Sequence, residues 1–159
     1  MTMKLRRVVT GHDDKGRAKV LIDEQIKNEF SPRQGAAYSV IWSTEGSPIS
    51  NDVLEDPSEK KIGTSIDDGT VFRVVSFAPG VSPRNHRTDS IDYGVVMSGE
   101  IHMELDDGVV VVLKAGDVLV QRGTIHNWVN KGSVPCVIAF TLIAAKPVSI
   151  GGKPLKAQG

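Results

Sequence analysis

The 159-residue sequence contains one cysteine, Cys136. A single thiol excludes an intramolecular disulfide framework and a cysteine-rich zinc site. It opens the apolar run Cys136–Phe140 and reads there as a small core residue rather than a nucleophile. An excess of either charge is also missing. Nineteen Lys+Arg stand against nineteen Asp+Glu, with neither sign massed along one stretch, so nothing calls for nucleic acid or an anionic membrane as partner. No apolar run approaches the ~20 residues of a membrane span. The opening MTMKLRRVVTGHDDKG turns polar before it could supply the apolar stretch of a secretory signal, which makes the cytoplasm the expected compartment. Amphipathic helices are scarce as well, since no window keeps apolar residues at helical spacing for three turns.

What the chain does have is a succession of short β-prone runs. Its length suits one domain that buries roughly two thirds of the surface exposed by the unfolded chain. Arg6–Thr10 and Ala18–Ile22 flank GHDDKGR, a turn composition, and predict an N-terminal hairpin with His12 as a solvated turn residue. Gly35–Ser43 reads as a strand with both faces partly covered. Asp56-Pro57-Ser58-Glu59 has the form of a helix start, with Asp at the cap, Pro at the first helical position and Glu three residues on; a short helix is expected over 56–61, ended by Gly63. From residue 70 seven runs follow, Thr70–Ala78, Asp92–Met97, Ile101–Leu105, Val109–Leu113, Val118–Gln121, His126–Val129 and Val134–Ala144, with Asp106-Asp107-Gly108 as an evident hairpin turn. Such spacing predicts an all-β protein, a closed antiparallel sandwich or barrel. Val109–Leu113 is apolar at every position, as a strand covered on both faces would be. The organisation expected is a β arm over 1–65, a barrel over 66–146 and a Pro/Gly/Lys-rich tail over 147–159, mobile or laid along a partner subunit.

Two segments carry a family likeness. Gly80-x5-His86-x-Thr88-x3-Asp92-x6-Gly99 resembles the first cupin motif, Gly-x5-His-x-His-x(3,4)-Glu-x6-Gly. Gly116-DVLVQR-Gly123-TI-His126-NWV-Asn130, sixteen residues further on, resembles the second, Gly-x5-Pro-x-Gly-x2-His-x3-Asn. Two motifs in the right order on β-rich flanks are far more specific than either alone. The phrases RRVVTGHDDKG, HRTDS-DYGVVMSGEI and QRGTIHNW are similar to a small single-domain cupin subgroup of bacteria and fungi. The resemblance implies a cupin-type jelly roll, and a homodimer paired through barrel faces or the N-terminal arm. Four departures stand out: Thr88 replaces the second His, Asp92 replaces Glu, Gln121 replaces Pro, and the stretch between Gly116 and Gln121 is one residue short.

Side chains alternate across a strand, so His86, Thr88 and Asp92 share a face if no bulge intervenes, and His126 shares a face with Trp128. If the two strands are neighbours, as the resemblance implies, His86, His126 and Asp92 converge. Two imidazoles and a carboxylate could bind Fe(II), Mn(II), Ni(II) or Zn(II) with positions left open for substrate. Thr88 is a poor ligand for such an ion, and the shorter Asp92 could instead accept a hydrogen bond from a histidine. His86, His126 and Asp92 are therefore the candidate catalytic and metal-binding residues; Thr88, Trp128 and Gln121 are the candidate pocket residues. His102 is expected on the outer face, and Arg87 and Arg122 toward solvent.

The leading expectation is a cupin enzyme acting on a small organic molecule in the barrel by metal-assisted lyase, dehydratase or isomerase chemistry, with no organic cofactor. A metal-free variant uses a histidine as general base oriented by Asp92. A binding module that holds a small ligand without turnover is the reading from another class, and an Fe(II) dioxygenase is the less favoured redox one.

Overall fold

A computed structural model describes residues 3–52 and 55–159. Its strands are β1 (Arg6–His12), β2 (Ala18–Gln25), β3 (Phe30–Arg33), β4 (Ala36–Glu45), β5 (Gly69–Phe77), β6 (Ser90–Ser98), β7 (Glu100–Glu104), β8 (Val110–Lys114), β9 (Val118–Arg122), β10 (Asn127–Val129), β11 (Cys136–Ala144), β12 (Val148–Ile150) and β13 (Lys153–Leu155). A six-stranded sheet in the order β3-β4-β5-β11-β6-β9 faces a three-stranded sheet β10-β7-β8, and the hairpins β1-β2 and β12-β13 stand apart from both. All pairings are antiparallel. The fold is the all-β jelly roll that the strand spacing and the motifs predict.

Alternation along the strands fixes the core between the sheets. On β11 the buried parity is Cys136, Ile138, Phe140 and Leu142; on β5 it holds Val71, Val75 and Phe77; β7 contributes Ile101 and Met103. Cys136 is fully buried, as expected of a core residue, and burial pushes its thiol up to about 11. Gly94 lies opposite Phe140, and a Cβ there would stand 3.0 Å from the ring, so the glycine makes room for the aromatic layer. Gly99, between β6 and β7, has φ +78° and would place a Cβ 2.7 Å from the carbonyl oxygen of Pro135; this tight corner needs glycine twice over. The Asp106-Asp107-Gly108 turn joins β7 to β8, with Asp107 and Gly108 both at positive φ.

Several expectations change. The helix over 56–61 is a single 3-10 turn, Pro57–Glu59: Asp56 caps it by accepting from the Ser58 N–H, but Lys60 is already extended. The strand β3 was hidden by Pro32, and β4 pairs along its length with β5, so the body of the protein begins well before residue 66. Val109–Val112 are exposed rather than covered on both faces, because β8 is the edge of the smaller sheet; of the run Val109–Leu113, only Leu113 is buried. The tail folds on its own chain. After the β12-β13 hairpin, Gln158 pairs with Arg87 through two main-chain hydrogen bonds, and Arg84 donates to the main-chain oxygen of Gly159 at 2.7 Å.

The β1-β2 hairpin is anchored by Arg7, whose side chain is 2% exposed. Its guanidinium grips both carboxylate oxygens of Asp56, at 2.8 and 2.5 Å, and pairs with Glu24. Arg7 in turn holds the Asp56 carboxyl down to about 2. Among the described residues no helix is long and apolar enough to cross a membrane.

Candidate active site in the barrel

The site is assembled from pairs of residues that face each other across neighbouring chain segments. His86 and His126 form an isolated antiparallel bridge, each N–H bonded to the other's carbonyl at 3.0 Å. Residues paired in this way put their side chains on one face. The two rings accordingly lie 4.2 Å apart between centroids. Asp92 on β6 is paired with Gln121 on β9 on the same inward face. Both motifs thus contribute one member to each pair.

Each imidazole is oriented by a main-chain carbonyl two residues earlier: Nδ1 of His86 lies 3.1 Å from the Arg84 oxygen, and Nδ1 of His126 lies 3.0 Å from the Thr124 oxygen. A carbonyl can only accept, so both Nδ1 atoms carry the proton and both Nε2 atoms hold a free lone pair. Trp128 packs edge-on against His126, with 5.7 Å between ring centroids, and bridges to Phe77 and Phe140. Burial, and then the neighbouring His126, push His86 down to about 4; burial lowers His126 too. At neutral pH the pair is uncharged.

The rings open onto a cavity of about 340 Å³ whose apolar wall is Val75, Phe77, Trp128, Phe140 and Leu142. Gln121 lines it as expected, with its amide nitrogen bonded to Thr124 and its oxygen left without a partner. Asp92 lines it too, but accepts from the Ser90 hydroxyl at 2.5 Å and orients neither histidine. Burial raises its pKa, opposed by Ser90 and the charge of Arg73. Thr88 is not a cavity residue. Thr88 keeps the buried parity of His86 and Asp92 but lines a separate pocket with Ser90, Pro147 and Leu155, its hydroxyl 2.8 Å from that of Ser90. His102 is turned away from the core, near Glu100, as its parity implied.

Among the described residues, no three His, Cys, Asp or Glu side chains stand together as a metal-binding group. His86 and His126 meet, and Asp92 does not join them. What sequence reasoning missed is the cationic side of the cavity, made by Arg33 from β3, Arg73 from β5 and Arg84 from the loop before His86. Arg73 is pushed down to about 10 by burial, partly offset by Asp92 and Tyr38, and its guanidinium sits 5.3 Å from the centre of the Tyr38 ring.

Comparison with known proteins agrees with this architecture. A family model described as the cupin domain matches residues 73–143, which span both histidines. Over 158 residues the chain is 35% identical to the cupin-domain-containing oxidoreductase fogC of Aspergillus ruber, covering 94% of this chain and 77% of that protein. The chain belongs to the cupin family. This cupin is also 33% identical over 151 residues to the cupin-domain-containing oxidoreductase virC of Hypocrea virens, covering 91% of the chain and 78% of the relative. An RmlC-like cupin from Shewanella frigidimarina shares its fold, with a TM-score of 0.51 at 18% identity, over 74% of this chain and 84% of the other.

Proposed function

We propose that this cupin is an enzyme that moves a proton on a small organic molecule held in the barrel, in lyase- or isomerase-type chemistry, with the His86–His126 pair as its base. The observation that carries this reading is the tautomer: two neutral imidazoles, each fixed through Nδ1, line one cavity with both Nε2 atoms free. A neutral imidazole with a bare Nε2 can accept a proton, and burial keeps both rings in that form at neutral pH. The closeness of the rings lets the pair hold one proton but opposes a second, so a proton taken from substrate is readily returned. Trp128 and the carbonyls of Arg84 and Thr124 keep the rings in place, and the cavity wall limits water around the reacting atoms.

The metal set of His86, His126 and Asp92 does not fit a resident divalent ion of the three-ligand kind, because Asp92 is held by Ser90 and stands outside the histidine pair. Asp92 instead supplies a carboxyl with a raised pKa at the cavity wall, facing Arg73.

The names of the two fungal relatives favour a second reading, oxidation or reduction of the bound molecule. Product mass separates the two. Candidate substrates are incubated with wild type and with His126→Gln, with and without chelator. A wild-type product that is isomeric with the substrate or smaller by a neutral molecule, absent with the variant and insensitive to chelator, supports proton-transfer chemistry. A product that differs by two hydrogens or gains oxygen supports the redox reading. Recovery of a bound ligand chemically unchanged would overturn both in favour of a binding module.

The expected homodimer belongs to this proposal. Tyr93, Val95 and Met97 on β6, with Val118 and Val120 on β9, form a continuous exposed apolar face. A second copy is the occupant we assign to it, since it presents the same apolar face and carries no net charge to oppose the approach.

A further inference from the structure

The cavity carries an excess of positive charge. Three guanidiniums, Arg33, Arg73 and Arg84, line it against one carboxylate, Asp92. Their hydrogen bonding is incomplete: Arg33 spends Nε on the Ser82 carbonyl at 2.8 Å and leaves a buried Nη without a partner, while the buried Nε of Arg73 has none. Arg84 is engaged by the Thr64 hydroxyl and the Gly159 oxygen. Burying a guanidinium without a counter-charge is expensive, and a fold that places two half-satisfied ones on the same cavity recovers that cost when a ligand supplies the missing acceptors. Mutual repulsion among the arginines acts in the same direction: Arg84 lowers the pKa of both Arg33 and Arg73, after the larger effect of burial.

We propose that the ligand of this cavity is a small organic carboxylate, its anionic group taken by Arg73 and Arg33 and its apolar body laid against Phe77, Trp128 and Phe140. The planar fork of a guanidinium matches a carboxylate through two parallel N–H···O bonds, and the aromatic wall asks for a ligand that is apolar beyond that group. A cavity of about 340 Å³ limits the ligand to a small molecule. This names the substrate class for the enzyme proposed above and rests on the cavity being its substrate site, but the test reads binding alone and so can succeed or fail separately from turnover.

The probes are cinnamate, benzoate and phenylpropionate, each paired with its neutral amide and compared with phenyl phosphate, in titration calorimetry at ligand concentrations up to about 10 mM, where dissociation constants in the millimolar range are read. At least one carboxylate binds the wild type, and its amide binds ~tenfold more weakly or not at all. Arg73→Met loses the same discrimination, with thermal melting as the check that the variant is folded. Arg33→Gln weakens binding as an independent check. Equal binding of acid and amide, unchanged affinity in Arg73→Met, failure of all three carboxylates, or tighter binding of phenyl phosphate would each overturn the assignment. Carboxylate binding establishes the anion site whether or not the proton-transfer reading holds, since that reading is decided by product mass.

Discussion

His86 and His126 are cross-strand partners that exchange both main-chain hydrogen bonds, and each ties its Nδ1 to a carbonyl of its own segment. One backbone bridge therefore sets the separation of the rings, and two local bonds set their tautomer. The site's chemistry depends on main-chain geometry more than on any third side chain.

That burial makes stability depend on pH. Unfolded His86 takes a proton near 6.5, and folded His86 resists it until about 4. Between those values the unfolded state binds more protons, so stability is full above 6.5 and falls as pH is lowered to about 4, by on the order of 3 kcal/mol. His126 acts in the same direction, whereas Asp92, with its raised pKa, favours the folded state as pH falls. Asp56, held near 2, adds a further loss below pH 3.8. Thermal melting across this range checks the prediction, and His86→Gln flattens the slope between 6.5 and 4.

The two glycines that bound the first motif differ in what they cost. Gly99→Ala meets both a positive φ and a main-chain oxygen at 2.7 Å, whereas Gly80→Ala meets only the positive φ. Chemical denaturation should show about 3 kcal/mol or more lost for the first and about 1 kcal/mol for the second.

The likeness to the cupin motifs made the fold legible, because strand alternation, turn glycines and motif spacing all survive in this sequence. The histidine pair was legible for the same reason. Thr88 shares the buried parity that the sequence presents, but it lines a neighbouring pocket closed by Pro147 and Leu155, a placement of the C-terminal segment that strand alternation does not reveal. Arg73 had a signal that was overlooked: on β5 it shares its parity with Val71, Val75 and Phe77, and a charge on an otherwise apolar face marks a place where the interior holds something other than protein. Arg33 and Arg84 had none, since one follows a proline on an irregular strand and the other lies in a loop. The exposure of Val109–Val112 depends on β8 being an edge, which only the topology reveals.

The N-terminal hairpin is held more by Asp56 than by Glu24. Asp56 accepts two hydrogen bonds from Arg7 and caps the 3-10 turn as well. Asp56→Ala should cost about 2 kcal/mol and Glu24→Ala under about 1 kcal/mol in denaturant unfolding, the second carboxylate being the more exposed.

Light scattering tests the assembly. Wild type is expected at the mass of a dimer at micromolar concentration, and Val118→Glu combined with Val120→Glu at the mass of a monomer, since neither side chain is part of the core. A monomeric wild type would contradict the assigned face.

The most direct test of the central claim is the protonation of the two imidazoles, read by nitrogen-15 NMR of histidine-labelled protein at pH 7. The structure predicts that His86 and His126 are both neutral, with the proton on Nδ1 and Nε2 bare. A charged ring at neutral pH, or a proton on either Nε2, would contradict the account of this pair as the protein's base.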